Sequence, residues 1–180
     1  MTRTVLLAAA CIAFAPAAAQ NGGGAAPAPK PPACASEQHR AFDFWVGRWD
    51  VYPAGSDKLV AHSLIERLYA GCAIRENWMP LTGGGGGSLS AFVPEEKAWR
   101  QTWIDSSGAR VEFKGEASPG RMVLTGWWPG VLGGGKGATV RMTYTREPGG
   151  AVRQKGETSV DGGAHWQPSF DFLYRPAATP

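Results

Sequence analysis

From Phe42 onward, apolar and polar residues alternate along the chain with a period of two residues, not the 3.6 of a helix. Short runs rich in Val, Ile, Thr, Tyr, Phe and Trp are separated by Gly, Pro, Asp and Ser. This pattern is typical of antiparallel strands joined by turns. It predicts strands at 43–52, 58–69, 72–79, 88–93, 97–104, 109–117, 121–128, 138–146, 151–159 and 164–175.

Helical periodicity is nearly absent from the same stretch. One short helical turn is predicted at 36–41, where Ser36 can cap it and where it would place Phe42 and Phe44 as a plug. Sequential strands must hide their sheet edges, and an up-and-down barrel does so by closing, with a sandwich as the alternative. We therefore expect an all-β fold, an antiparallel up-and-down barrel of about 8–10 strands with a short N-terminal helical turn.

The N-terminal residues have the three-part order of a secretory signal peptide. Arg3 supplies the basic start, an apolar run follows at 5–15, and small residues at 17–19 precede Gln20. The run is shorter than the ~20 residues that span a bilayer, so we expect no transmembrane segment. Cleavage after Ala19 would export the protein to the periplasm or the medium. The alternative is a lipoprotein anchored through Cys11.

The domain organisation follows from these two patterns. We expect a signal peptide at 1–19, a flexible Gly/Ala/Pro linker at 20–33, a single β-barrel domain at 34–176 and a disordered tail at 177–180.

Charge and cysteine content change what the exported chain can do. Cleavage removes Arg3 and leaves 17 basic residues against 15 acidic ones, without the clustered basic face that nucleic acid requires. It also removes Cys11 and leaves Cys34 and Cys72, which we expect to be bridged in an oxidising compartment, two buried thiols being the alternative. Since no cysteine or histidine stands at ligand spacing from another, we expect no metal site.

The segment Phe42–Asp50, FDFWVGRWD, carries a Gly-x-Trp pair at Gly47 and Trp49. It resembles the opening of the lipocalin and calycin barrels. That resemblance implies that Trp49 closes one barrel end under a basic residue of the final strand, for which Arg175 is the candidate.

A wider resemblance covers His39 to Arg175, with HRAFDFWVGRWDV, IERLYAGCAIRENW, WRQTWID and VRQKGETSVDGGAHW. These segments are similar to a family of uncharacterised exported bacterial proteins with a calycin-like barrel. The family implies fold and location, and it brings no established activity.

Alternation also predicts which side chains share a face of a strand. The sets are Ile74, Glu76 and Trp78; Trp99, Gln101 and Trp103; Val140, Met142 and Tyr144; and Trp166, Phe170, Phe172 and Tyr174. Facing inward, they would form an aromatic cavity with a few polar groups, and we predict the ligand-binding residues Glu76, Trp78, Trp99, Gln101, Trp103 and Tyr144. Alternatively, they fill a solid core, and a buried Glu76 then needs a partner such as Arg141 or Arg153.

Three functions remain open from the sequence. We expect a small-molecule binding barrel for an apolar or aromatic ligand, without a cofactor. An isomerase, cyclase or decarboxylase that uses Glu76 as acid or base is the second hypothesis, and a structural or interaction protein with a filled core is the third.

His39, His62 and His165 form no catalytic or metal motif. The glycine-rich segments 83–87 and 130–137 are expected as mobile loops at the barrel mouth, and 159–166, which resembles an Asp-box, as a stabilised hairpin.

Overall fold

The structure is a computed structural model that describes residues 33–178. The predicted signal peptide, Cys11, nearly all of the predicted linker and the last two residues of the predicted tail lie outside the described residues. Within residues 33–178, no helix is long and apolar enough to cross a membrane.

Ten antiparallel strands form one closed sheet in the described part of the chain. Each strand pairs with its neighbours in sequence, and the last strand pairs with the first, so the up-and-down barrel closes and the fold prediction is confirmed. The strands are β1 Gly47–Pro53, β2 Ala61–Leu68, β3 Ala73–Pro80, β4 Gly86–Val93, β5 Ala98–Asp105, β6 Arg110–Ser118, β7 Arg121–Trp128, β8 Ala138–Arg146, β9 Val152–Ser159 and β10 Gln167–Pro176.

The first strand begins later than alternation predicts. Residues 43–45 form a 3₁₀ turn, in which the Val46 amide donates to the Asp43 carbonyl at 3.0 Å. The turn follows the predicted helical turn, which is α1, Glu37–Arg40, with Ser36 at its N-terminal cap. Together these two turns carry aromatic side chains across one end of the barrel.

Successive loops of the barrel lie at alternate ends. We call the end with loops 69–72, 94–97, 119–120 and 147–151 and with the start of β1 the closed end. The other end, with loops 54–60, 81–85, 106–109, 129–137 and 160–166, is the open end. Both glycine-rich segments lie at the open end, as predicted, although Gly86 and Gly87 belong to β4.

Aromatic rings fill the closed end. Phe42 and Trp45 have no exposed surface, and their rings stack at 4.9 Å between centroids. Phe44, the other predicted plug residue, is partly buried and packs edge-on against Phe42. Trp49 points inward from β1 and donates from Nε1 to the Trp45 carbonyl at 2.9 Å. A Cβ at Gly47 would lie 3.3 Å from the Trp49 ring, so glycine there leaves room for this packing.

A disulfide joins Cys34 to Cys72, as predicted. It links the segment before α1 to the loop between β2 and β3, with a Cα–Cα distance of 5.0 Å and a sequence separation of 38. Closing a loop of this length removes unfolded-state entropy that corresponds to about 4 kcal/mol in the chain-entropy account. The bridge therefore fastens the plug segment to the closed end.

The predicted pairing of Arg175 with Trp49 is wrong. Residues on a strand alternate between faces, and because Tyr174 points inward, Arg175 points outward. Its guanidinium lies 4.4 Å from the ring centre of Tyr52 and pairs with Asp57 at 3.0 Å. Arg175 therefore packs on the outer wall and does not cover Trp49.

The segment 159–166 forms the predicted hairpin turn. Asp161 accepts hydrogen bonds from the His165 amide at 2.9 Å and the Ser159 hydroxyl at 2.7 Å. The prediction that Trp166 shares the inner face of the last strand is wrong, because Trp166 precedes β10 and the register of that strand shifts between Pro168 and Phe170. Trp166 instead lies under the guanidinium of Arg141, 4.1 Å from the ring centre.

Candidate functional site

A cavity of about 260 Å³ lies inside the barrel, toward the open end. Its wall comes from the inner faces of β3 and of β5 to β10, where alternation directs every second side chain inward. Tryptophan and phenylalanine side chains form half of this wall: Trp78, Trp103, Phe113, Trp128, Phe170 and Phe172. All of them except Phe113 are partly exposed, so the aromatic part of the cavity reaches the surface at the open end.

Polar groups gather at the buried side of the cavity. Each of them has less than a tenth of its surface exposed, the largest value being 8% for Gln154, and Met142 lies among them. They are Glu76, Gln101, Tyr144, Gln154 and Tyr174. An apolar pocket with a few fixed polar groups is the usual composition of a small-molecule site.

Glycines on the inner face keep the cavity open. A Cβ at Gly86 would lie 2.6 Å from the ring of Trp103, and one at Gly126 would lie 2.9 Å from the ring of Phe113. At Gly156, an added Cβ would overlap the ring of Phe170. Such contacts are closer than carbon atoms tolerate, so side chains at these three positions would push the rings into the open space. At Gly126 the added Cβ would also overlap the backbone carbonyl of Glu112, and at Gly86 it would lie 2.8 Å from that of Ile104.

Glu76 carries the carboxyl group of the cavity. The Ser63 hydroxyl on β2 donates to its Oε1 at 3.3 Å, and the Ser88 hydroxyl on β4 donates to its Oε2 at 3.2 Å. Burial raises the pKa of the Glu76 carboxyl to about 7, although the hydrogen bonds from Ser88 and Ser63 and the nearby Tyr174 hydroxyl oppose the rise. Near neutral pH, both its protonated and its ionised form are therefore populated.

Two tyrosines and a glutamine form a second polar network. Tyr174 donates from its hydroxyl to Gln154 Oε1 at 2.7 Å, and Gln154 Nε2 donates to the Tyr144 hydroxyl at 2.9 Å. Burial, followed by the nearby Glu76 carboxylate, raises the pKa of both phenols well above the usual value. Tyr144 and Tyr174 therefore remain neutral hydrogen-bonding groups at physiological pH.

The arginine partner that a solid core would require for Glu76 is absent from the lining of the cavity. Arg141 pairs with Glu157 at 2.9 Å, and Arg153 pairs with Asp171 at 2.5 Å, both on the outer wall. The reason is again alternation, because both arginines are adjacent in sequence to inward-facing residues. Among the residues that line the cavity, Glu76 has no basic partner.

Five of the six predicted ligand-binding residues line this one cavity: Glu76, Trp78, Gln101, Trp103 and Tyr144. Trp99 does not, because it lies nearer the closed end and its ring packs edge-on against Phe42 at 5.7 Å. Sequence reasoning missed Phe113, Trp128 and Gln154, although each alternates with outward residues on its strand. That these side chains bind a ligand stays a prediction.

A second, larger groove of about 910 Å³ lies at the closed end, beside α1 and the turn between β6 and β7. Its lining includes charged side chains of both signs, most of them exposed: Glu37, Arg40, Lys97, Glu116 and Arg146. Exposed charges that are already hydrated contribute little binding free energy to a ligand, so the interior cavity is the stronger candidate for a binding site.

Metal-ligating side chains do not cluster in the described part of the chain. Across 33–178, no group of three or more His, Cys, Asp and Glu side chains could hold a metal ion. His62 pairs with Asp50 and His165 with Asp161, both on the outside of the barrel. None of the residues that line the interior cavity is a histidine.

Comparison with known proteins assigns no family to the chain. No protein-family model matches the chain, and a sequence search finds no curated protein that matches it. The closed ten-stranded barrel is consistent with a calycin-like fold. The inference of function therefore depends on the cavity itself.

Proposed function

We propose that this protein is an exported binding protein that holds a small aromatic or apolar molecule inside its barrel without transforming it. The observation that carries the proposal is the cavity of about 260 Å³, with aromatic rings toward the open end and polar groups at its buried side. It exceeds the roughly 150 Å³ that accommodate benzene in an engineered protein cavity. Its size therefore suits a substituted ring.

The proposed export is supported by the disulfide. A bridge between Cys34 and Cys72 persists in the periplasm or outside the cell and is uncommon in the cytosol. A calycin-like binding protein in such a compartment would meet its ligand in solution or at a membrane surface. The third hypothesis, a structural protein with a filled core, finds no support in the open interior.

The ligand can be sought in protein purified from its own host. Native mass spectrometry should show an added mass that denaturation releases as a small molecule. Repeated preparations without any such mass, together with no binding in a screen of aromatic compounds, would contradict the proposal.

Substitution of two tryptophans near the same end of the barrel tests where the ligand binds. Trp103 lines the cavity, whereas Trp127, one residue before the lining residue Trp128, is 59% exposed on the outer wall. Trp103→Ala should weaken ligand binding about tenfold or more, and Trp127→Ala should leave it unchanged within about twofold. Isothermal titration calorimetry measures both variants. Equal losses would place the ligand outside the cavity.

An enzyme that uses Glu76 is the second candidate, and one observation favours it. The carboxyl group faces the cavity without a salt bridge, and burial raises its pKa to about 7, which suits a general acid or base at neutral pH. The test is to incubate the protein with the ligand recovered from it and to analyse the mixture by NMR. Turnover that Glu76→Gln abolishes would replace the binding proposal, whereas recovery of unchanged ligand supports it.

A further inference from the structure

The residues that line the cavity include an acidic side chain and no basic one. Glu76 is the ionisable acid of the lining, and the lining residues include no Lys, Arg or His to balance it. Tyr144 and Tyr174 are the other titratable groups that face Glu76, and both stay neutral. A ligand that brings a negative charge would therefore meet a second one in a buried space, which costs free energy.

The Glu76 carboxyl retains unused capacity to accept hydrogen bonds. A carboxylate offers about four acceptor positions. The Tyr174 hydroxyl, which also contacts Gln154, takes at most one of them, and each Glu76 oxygen accepts one serine hydroxyl. These two bonds, at 3.3 and 3.2 Å, are longer than the usual 2.7–2.8 Å between hydroxyl and oxygen. A ligand donor in the cavity can complete the set.

Aromatic rings surround the space in front of this carboxyl. Six of the lining residues are Trp or Phe, and the faces of such rings attract cations. On the outer wall, the cations over such rings come from the chain itself, since guanidinium groups lie over Trp166 and Tyr52. Inside the barrel, the lining supplies the rings and the acid without any cation.

We infer that the ligand is a small aromatic amine that binds as its cation, with the ammonium group on the Glu76 carboxylate and the ring among the tryptophans and phenylalanines of the cavity. The inference rests on the proposed binding function and gives it a ligand class. An ammonium ion satisfies the carboxylate, whereas a neutral alcohol of the same shape contributes only a neutral hydrogen bond.

Three commercial compounds of nearly equal size test the charge directly: phenethylamine, phenethyl alcohol and phenylacetate. Isothermal titration calorimetry with the full mature protein at about pH 8 should show the amine binding at least about tenfold more tightly than the alcohol, with phenylacetate weakest. Glu76→Gln should reduce the affinity for the amine about tenfold or more and change that for the alcohol less than about threefold.

The matched control variant is Glu112→Gln. Glu112 lies on the outer face of β6, where it pairs with Arg110 at 2.7 Å, so the change removes the same charge away from the cavity. It should leave the affinities for amine and alcohol unchanged.

The wild-type protein supplies a second readout that needs no variant. Since the pKa of Glu76 is about 7, its carboxyl becomes protonated as the pH falls from about 8 to about 5. The affinity for phenethylamine, which stays protonated over this range, should fall toward tenfold per pH unit below about pH 7, while that for the alcohol stays nearly constant.

Each other outcome decides against the inference. If the alcohol binds as tightly as the amine at about pH 8, the amine inference is wrong while the binding function stands. If none of the three binds, the inference is also overturned, and the native mass spectrum of host-derived protein then decides separately whether the binding function survives.

Discussion

The two ends of the barrel use the same residue types with opposite results. At the closed end, Phe42 and Trp45 are fully buried against other rings. Toward the open end, Trp103 and Phe170 face glycines instead, and a cavity remains between the rings. Aromatic content alone therefore does not indicate a filled core. The size of the residues facing each ring decides whether a tryptophan stabilises the fold or lines a site.

The largest expected difference between the ends is in stability. Trp45→Ala removes a fully buried ring and should lower the free energy of unfolding by about 3–5 kcal/mol. Trp103→Ala removes a partly exposed ring beside a cavity and should cost less than about 2 kcal/mol. Urea unfolding followed by circular dichroism measures both variants. Equal costs would mean that the open end is packed as tightly as the closed end.

The disulfide is the next contribution to the closed end. Replacement of Cys34 and Cys72 together by serine should lower the free energy of unfolding by about 2–4 kcal/mol, because the unfolded chain regains the entropy of an open loop. Reduction of the wild-type protein should give the same loss and serves as the control. Ligand affinity should stay the same, since the bridge lies away from the cavity. A loss of affinity in the folded variant would contradict the separation of the two ends.

Glu76 at the buried side of the cavity should make stability depend on pH. Its pKa is about 7 in the folded protein against an ordinary value of 4.5, so the native state holds the proton more tightly than the unfolded state. The resulting stabilisation is fully present below about pH 4.5 and is lost as the pH rises through 7. The loss should amount to about 3 kcal/mol.

The measurement is urea unfolding of the wild type and of Glu76→Gln from about pH 4 to about pH 8. The variant lacks the titrating group, so its stability relative to the wild type should rise over this range. Glu112→Gln should show no such relative change. A pH-independent difference between the wild type and Glu76→Gln would contradict the assignment of the shifted pKa to Glu76.

Alternation of apolar and polar residues predicted the strands because burial on one face fixes a period of two. It failed where the period breaks. The register shift between Pro168 and Phe170 puts Trp166 outside, although its spacing from Phe170 suggests a shared face. The 3₁₀ turn at Asp43–Trp45 likewise interrupts the alternation that predicted a strand from residue 43.

The candidate site was predicted only in part, and the reason differs from the one that limited the prediction of the strands. Strand faces follow from the sequence, but the position of a residue along the barrel axis depends on the stagger between strands. Trp99 and Trp103 share a face, yet only Trp103 reaches the cavity. The serines next to Glu76 come from β2 and β4, and the cross-strand register that places them there cannot be obtained from local spacing. The arginine partner that the solid-core alternative required for Glu76 is not found, because alternation directs Arg141 and Arg153 outward.

The smallest expected change in stability concerns the outer wall, which belongs to neither end of the barrel. Arg175→Ala removes the guanidinium over Tyr52 and its pair with the exposed Asp57, and should cost no more than about 1 kcal/mol of stability. Lys58→Ala is the control, since it removes one positive charge from the exposed loop next to Asp57. Urea unfolding measures the cost, and tryptophan emission should not change, because Trp49 keeps its contacts. A loss comparable to that of Trp45→Ala, with a shifted emission spectrum, would show that Arg175 does close the barrel over Trp49.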